Sequence, residues 1–135
     1  MVAETEMIIR LLIATVLGGI IGFEREAAKR PAGLRTHMLV SISASLLTIL
    51  SFDAFPGSDP SRIASNVIVG MGFIGAGCIA WSKKKVIGIT TAASLWTAAA
   101  IGIASGVGYI SLALVTTLIA FVVLRLKWIE KGLHD

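Results

Sequence analysis

Five long apolar runs alternate with short polar segments along the chain, at about residues 7–23, 36–52, 63–81, 89–105 and 109–126. Each is close to the length a helix needs to cross about 30 Å of hydrocarbon at about 1.5 Å per residue. The polar segments carry the residues that stop helices. Pro31 and Gly33 follow the first run, Pro56, Gly57 and Pro60 follow the second, and Gly106 and Gly108 separate the last two. Asp59-Pro60 has the form of an N-cap with proline at the first helical position, and so predicts the start of the third helix. The pattern predicts an all-α integral membrane protein, a bundle of about five transmembrane helices making one domain over residues 1–135.

Composition agrees. With 56% hydrophobic and only 15% charged residues, the chain lacks the charge to cover a soluble domain of its 135 residues. The net charge of +4 is not a nucleic-acid footprint, because the basic residues cluster between apolar runs. Five spans put Arg25, Lys29, Arg30, Arg35, Lys83, Lys84, Lys85, Arg125, Lys127 and Lys131 on one side, against Arg10 and Arg62 on the other. The positive-inside rule then predicts the N-terminus outside and the C-terminus in the cytoplasm. Glu4 and Glu6 stand where a signal peptide would be basic, so the first run is expected to stay in the membrane. Arg10, near its outer end, is expected to snorkel to the interface. Cys78 is the only cysteine, which excludes an internal disulfide.

The third run, V-I-V-G-M-G-F-I-G-A-G-C-I from Val67 to Ile79, carries Gly70, Gly72, Gly75 and Gly77. Gly70-x-Gly72-x-x-Gly75 fits a dinucleotide loop, but that loop needs a strand before it and an acidic residue about twenty positions on. Here the glycines lie inside the apolar run, and Lys83-Lys84-Lys85 follows. They predict a helix that another backbone approaches closely, or one that unwinds to line a cavity. Gly18 and Gly22, four apart, predict the same close approach on the first helix, as Gly102 and Gly106 do on the fourth.

Several polar residues are predicted to meet at the cytoplasmic boundary: Glu24, Arg25 and Glu26 end the first span, Arg35, Thr36 and His37 begin the second, and Thr90 and Thr91 begin the fourth. One reading makes them caps, headgroup contacts and an internal ion pair, with Glu24 or Glu26 facing Arg25 or Arg35. The other makes them a site for an ion or a partner. Asn66 and Trp96 are expected to be buried and to bond neighbouring helices. Trp81 and Trp128 are expected at the interfaces. Asp53 and Asp59, on the outer side, are placed to attract a hard cation, Asp59 doubling as a helix cap. His37, His134 and Cys78 do not make a zinc set, no cofactor is indicated beyond Mg2+, and no base stands beside a positioned serine, so no enzymatic activity is expected.

Four ordered stretches carry a resemblance: I-G-F-E-R-E (Ile21 to Glu26), A-G-L-R-T-H (Ala32 to His37), G-M-G-F-I-G-A-G (Gly70 to Gly77) and G-I-T-T-A-A-S-L-W (Gly88 to Trp96). The chain resembles the MgtC/SapB family of bacterial and archaeal membrane proteins over nearly its whole length. The resemblance implies a multi-pass protein of the cytoplasmic (inner) membrane linked to magnesium homeostasis. It also implies homo-oligomers, a dimer first, and partners among membrane proteins such as the ATP synthase or cation transporters. Many members carry a soluble C-terminal domain, which is not expected in a chain ending at Asp135. Thr90 and Thr97 stand where some relatives resemble one another in carrying asparagine and cysteine. Two functional classes follow: a non-transporting regulatory protein, or a channel or transporter for magnesium or another cation.

Overall fold

The computed structural model describes residues 2–133, and of these the side chains at 128, 132 and 133 lie outside the described set. The expected interface anchor Trp128, and His134 and Asp135 of the tail, therefore fall outside the described side chains. Five long helices follow in order: α1 (Glu4–Ala27), α2 (Leu34–Asp53), α3 (Ser61–Cys78), α4 (Ile89–Val107) and α5 (Ile110–Arg125). A short α6 (Lys127–Leu133) closes the chain. Among the described residues, α1, α2, α4 and the stretch Ile110–Lys131 are long and apolar enough to cross a membrane. α3 falls outside that set, because Ser61, Arg62, Ser65 and Asn66 occupy its first turns and four glycines its remainder.

The helices alternate in direction. Gly22 of α1 meets Leu34 of α2 while Gly18 meets Ser41, so α1 and α2 are antiparallel. Gly102 and Gly106 of α4 meet Ser41 and Ser45, so α2 and α4 run parallel. The end of α1, the start of α2 and the start of α4 thus share one end of the bundle. α2 and α4 form the centre. Their interior is small and hydroxyl-bearing: Ser41, Ala44, Ser45 and Thr48 on α2 face Ala98, Ala99, Gly102 and Ser105 on α4, all buried. Large apolar side chains point outward instead, as Leu12, Phe23, Phe73, Leu118 and Val122 do. This inversion fits lipid, where close backbone packing rather than hydrophobic exclusion joins helices.

The third element departs from expectation. α3 ends at Cys78, and residues up to Trp81 do not continue it. β1 (Ala80–Ser82) and β2 (Lys85–Ile87) form an antiparallel hairpin with Trp81 opposite Val86. Lys83 and Lys84 both have positive φ (45° and 67°), the geometry of a type I′ two-residue turn. Gly88 then turns left-handed, φ 87°, to start α4, where any Cβ would strike the Cys78 carbonyl. α3 itself is continuous helix through Gly70–Gly77, so no unwound segment lines a cavity there.

Candidate functional site

The polar end of the bundle is built by the turn that leaves α1. Ala28 ends the helix, Lys29 takes φ 54°, and two bonds close the turn: Lys29 N–H to Glu26 O (2.9 Å) and Arg30 N–H to Arg25 O (3.0 Å). This is a Schellman turn with lysine where glycine is usual. It folds Arg30 back beside Arg25. Glu26 Oε2 accepts the Leu34 N–H (2.9 Å), so this exposed carboxylate starts α2 rather than pairing with an arginine. It also fills the space over Gly33 that a Cβ would need.

Inside that turn Arg25 Nε donates to Glu24 Oε2 at 2.6 Å. Both groups are buried, at 2% and 5% exposure. Behind them His37 is fully buried, with Nδ1 2.8 Å from Gly33 O and Nε2 2.9 Å from Ser94 Oγ. Ser94 Oγ also lies 2.8 Å from Thr91 O. Gly33 O can only accept, so Nδ1 carries a proton. The neutral ring then accepts from Ser94, whereas a protonated ring donates to Ser94 and sends the Ser94 proton to Thr91 O. A cavity of about 470 Å3 opens next to this network, bordered by Arg25, Arg30, Thr90, Thr91, Lys127 and Glu130.

Of the eight residues expected in the cluster, Glu24, Arg25, His37 and Thr91 are brought together and buried. Arg35 and Thr36 are corrections: both are exposed, and Arg35 forms no ion pair among the described residues. The helical period turns them away from α1 when His37 faces inward. Thr90 is exposed but borders the cavity.

The expected close approach holds on α1, where a Cβ on Gly18 would lie 2.6 Å from Ser41 Cβ and one on Gly22 2.8 Å from Leu34 Cα. On α3 it does not: Gly70, Gly72 and Gly77 face open space within this chain, and Gly75 makes only ordinary contact with Ala92, at 3.5 Å. Asn66 is exposed and bonds Arg62 O of its own helix, so it is not a buried interhelical amide. Trp96 is likewise 49% exposed rather than buried. Both lie on outward faces, turned away from the α1–α2–α4 interior. Asp59 Oδ1 accepts from the Ser61 N–H (2.9 Å) and hydroxyl (2.7 Å), which hold its carboxyl below the usual range. It serves as a cap. Asp53 is the last residue of α2 and half-buried. No group of three or more His, Cys, Asp or Glu comes together among the described residues.

Sequence reasoning passed over the capping role of Arg10 and the α2 hydroxyls. Arg10 Nη1 donates to Gly106 O at 2.9 Å while Nη2 meets Glu6, so it caps the C-terminus of α4 instead of only reaching the interface. Ser41 Oγ donates to Ala14 O of α1 at 2.7 Å, and Thr48 Oγ1 to Ala44 O at 2.7 Å. The spacing His37, Ser41, Ser45, Thr48, at three and four residues, was the available signal.

Residues 11–131 match the model of the MgtC family. Among curated proteins, YhiD of Escherichia coli (strain K12), provisionally named a magnesium transporter, is 41% identical over 128 residues, covering 89% of this chain and 60% of that protein. SapB of Bacillus subtilis (strain 168) is 38% identical, covering 95% and 60%. MgtC of Brucella abortus (strain 2308) is 45% identical, covering 77% and 44%. The chain thus spans about 44–60% of the length of these relatives. No solved structure matches.

Proposed function

The chain belongs to the MgtC family, and on that premise we propose that it acts in magnesium homeostasis as a non-enzymatic regulatory protein that binds other membrane proteins. The name carried by the YhiD relative supports the magnesium connection. One observation favours regulation over transport: most of the polar groups buried between the helices are engaged with the chain itself, Ser45 Oγ being the hydroxyl without a partner among the described residues. Ser41, Thr48, Ser105 and Thr117 donate to main-chain carbonyls, Ser94 Oγ lies between His37 and Thr91 O, and Glu24 is held by Arg25. A magnesium ion gives up its water reluctantly and requires near-octahedral oxygen ligands. An interior of hydroxyls fixed by internal bonds, whose buried carboxylate, Glu24, is already paired with Arg25, is a poor path for it and a good rigid platform.

In the bilayer we place all five long helices across the bacterial or archaeal inner membrane, N-terminus outside and C-terminus in the cytoplasm. The alternating helix directions support this, because they gather Arg25, Lys29, Arg30, Lys83, Lys84, Lys85 and Lys127 at one end. The face of α3 bearing Asn66, Gly70, Phe73 and Gly77 is exposed and open, which suits a second copy of the chain. The direct test is Mg2+ flux into proteoliposomes containing only this protein. Flux equal to that of empty liposomes is expected. Protein-dependent flux would establish the transporter reading instead, with YhiD's name as its precedent.

A further inference from the structure

The 470 Å3 cavity at the polar end has a wall chemistry that the regulatory reading does not use. Among the described residues three cationic side chains line it, Arg25, Arg30 and Lys127, with one carboxylate, Glu130, in the wall and Glu24 bonded to Arg25. Arg25 is only 2% exposed. Its Nε is committed to Glu24, but among the described residues its two Nη groups have no hydrogen-bond partner. Among the described residues Arg30 Nε, too, is buried and without a partner. A buried donor on a cation, as Arg30 Nε is, is costly when unmet, and like charges gathered in one cavity add to that cost.

The remaining wall is the start of α4. The first main-chain bond of this helix is Ala92 N–H to Gly88 O, so the N–H groups of Ile89, Thr90 and Thr91 have no partner in the helix. Gly88 supplies no side-chain cap, and no acidic residue stands in the first turn. The positive end of the helix and two guanidinium groups therefore point into the same space. Their shared complement is a compact group with several acceptor oxygens and more than one negative charge.

We propose that this cavity binds a phosphate group, held by Arg25 and Arg30, by Lys127 and by the first turn of α4. A single inorganic phosphate would not fill it. Apolar walls from Ile89, Val123 and Leu124 beside the cations suit a phosphate carried on a larger molecule. An anionic phospholipid headgroup and a soluble phosphate share this chemistry. The inference uses the same end of the bundle as the proposed function but does not depend on magnesium.

The test is thermal unfolding of the full chain in a mild detergent, with chelator present to remove Mg2+. One arm titrates inorganic phosphate and another a short-chain phosphatidylglycerol, with chloride at equal ionic strength as control. The Arg30→Gln/Lys127→Gln double variant changes two rim side chains and leaves the Glu24–Arg25 pair intact. The wild type should unfold at higher temperature with ligand, and the double variant should bind about tenfold more weakly or worse. A response to the lipid alone identifies a headgroup site, a response to phosphate alone a solute site, and a response to both recognition of the phosphate itself. No response beyond chloride, or an equal response in the double variant, would overturn the proposal. The magnesium flux result is unaffected by either outcome.

Discussion

Replacing Gly22 by alanine adds one methyl group where α1 and α2 touch. The new Cβ would sit 2.8 Å from Leu34 Cα, 2.9 Å from Leu34 O and 2.9 Å from His37 Cβ. Carbon atoms in good contact are about 3.5–4.0 Å apart, so the helices must separate by roughly 0.7 Å or more. Two of the three atoms struck are main chain and cannot swing aside. Overpacking of this kind costs about 1–3 kcal/mol, against about 0.5–1 kcal/mol gained because alanine favours helix over glycine. The net expectation is a loss of roughly 1–2 kcal/mol, a drop of several degrees in Tm by circular dichroism in detergent. Gly70→Ala is the control: its Cβ meets nothing within 4 Å, so only the helix gain remains. Equal shifts for the two variants would refute the packing argument. A loss confined to Gly70→Ala would instead point to a contact with a second chain on α3.

Arg25→Ala should destabilise the protein by about 3–5 kcal/mol, because it leaves the Glu24 carboxylate buried and unpaired, whereas Arg35→Ala should change stability by about 0.5 kcal/mol or less; denaturant unfolding compares the two. Lys29→Gly should raise stability by roughly 1 kcal/mol by relieving the left-handed residue of the Schellman turn, measured as a rise in Tm. Arg10→Gln should lower stability by about 1 kcal/mol and increase hydrogen exchange at the last turn of α4, where the Gly106 carbonyl loses its cap; unchanged exchange there would rule out a capping role.

The four most apolar runs were legible because their length and composition leave no other solution: the fourth, expected at 89–105, is α4 at Ile89–Val107. The β-hairpin was not legible. Its strands are three residues long, and its type I′ turn uses Lys83-Lys84 where the usual signal is Asn-Gly. The glycines show the deeper limit. Gly18, Gly22 and Gly70 look alike in sequence, all within apolar runs, yet only the first two oppose a neighbouring main chain. Spacing tells which residues share a face but not which face meets protein and which meets lipid. The same limit misassigned Asn66 and Trp96. In the polar cluster, Arg35, Thr36 and His37 are consecutive, and the helix can aim only one of them inward.

The hydroxyl stripe of α2 has a consequence for how the chain is made. α1 and the stretch Ile110–Lys131 are the most apolar of the segments long enough to cross a membrane. α2 follows α1 out of the ribosome with His37, Ser41, Ser45 and Thr48 on its inner face. Gly18 and Gly22 seat one edge of that stripe at once, as a helical pair. The other edge waits for Gly102 and Gly106, which are synthesised only after the whole of α3 and the hairpin. Ser41 and Thr48 already bond α1 and their own helix, but until α4 is made the half-built chain holds an imidazole whose partner, Ser94, is missing. Substitutions at Gly102 or Gly106, where a Cβ would strike the Ser41 and Ser45 carbonyls, should therefore keep α4 from closing on α2 and lower the amount of protein that accumulates.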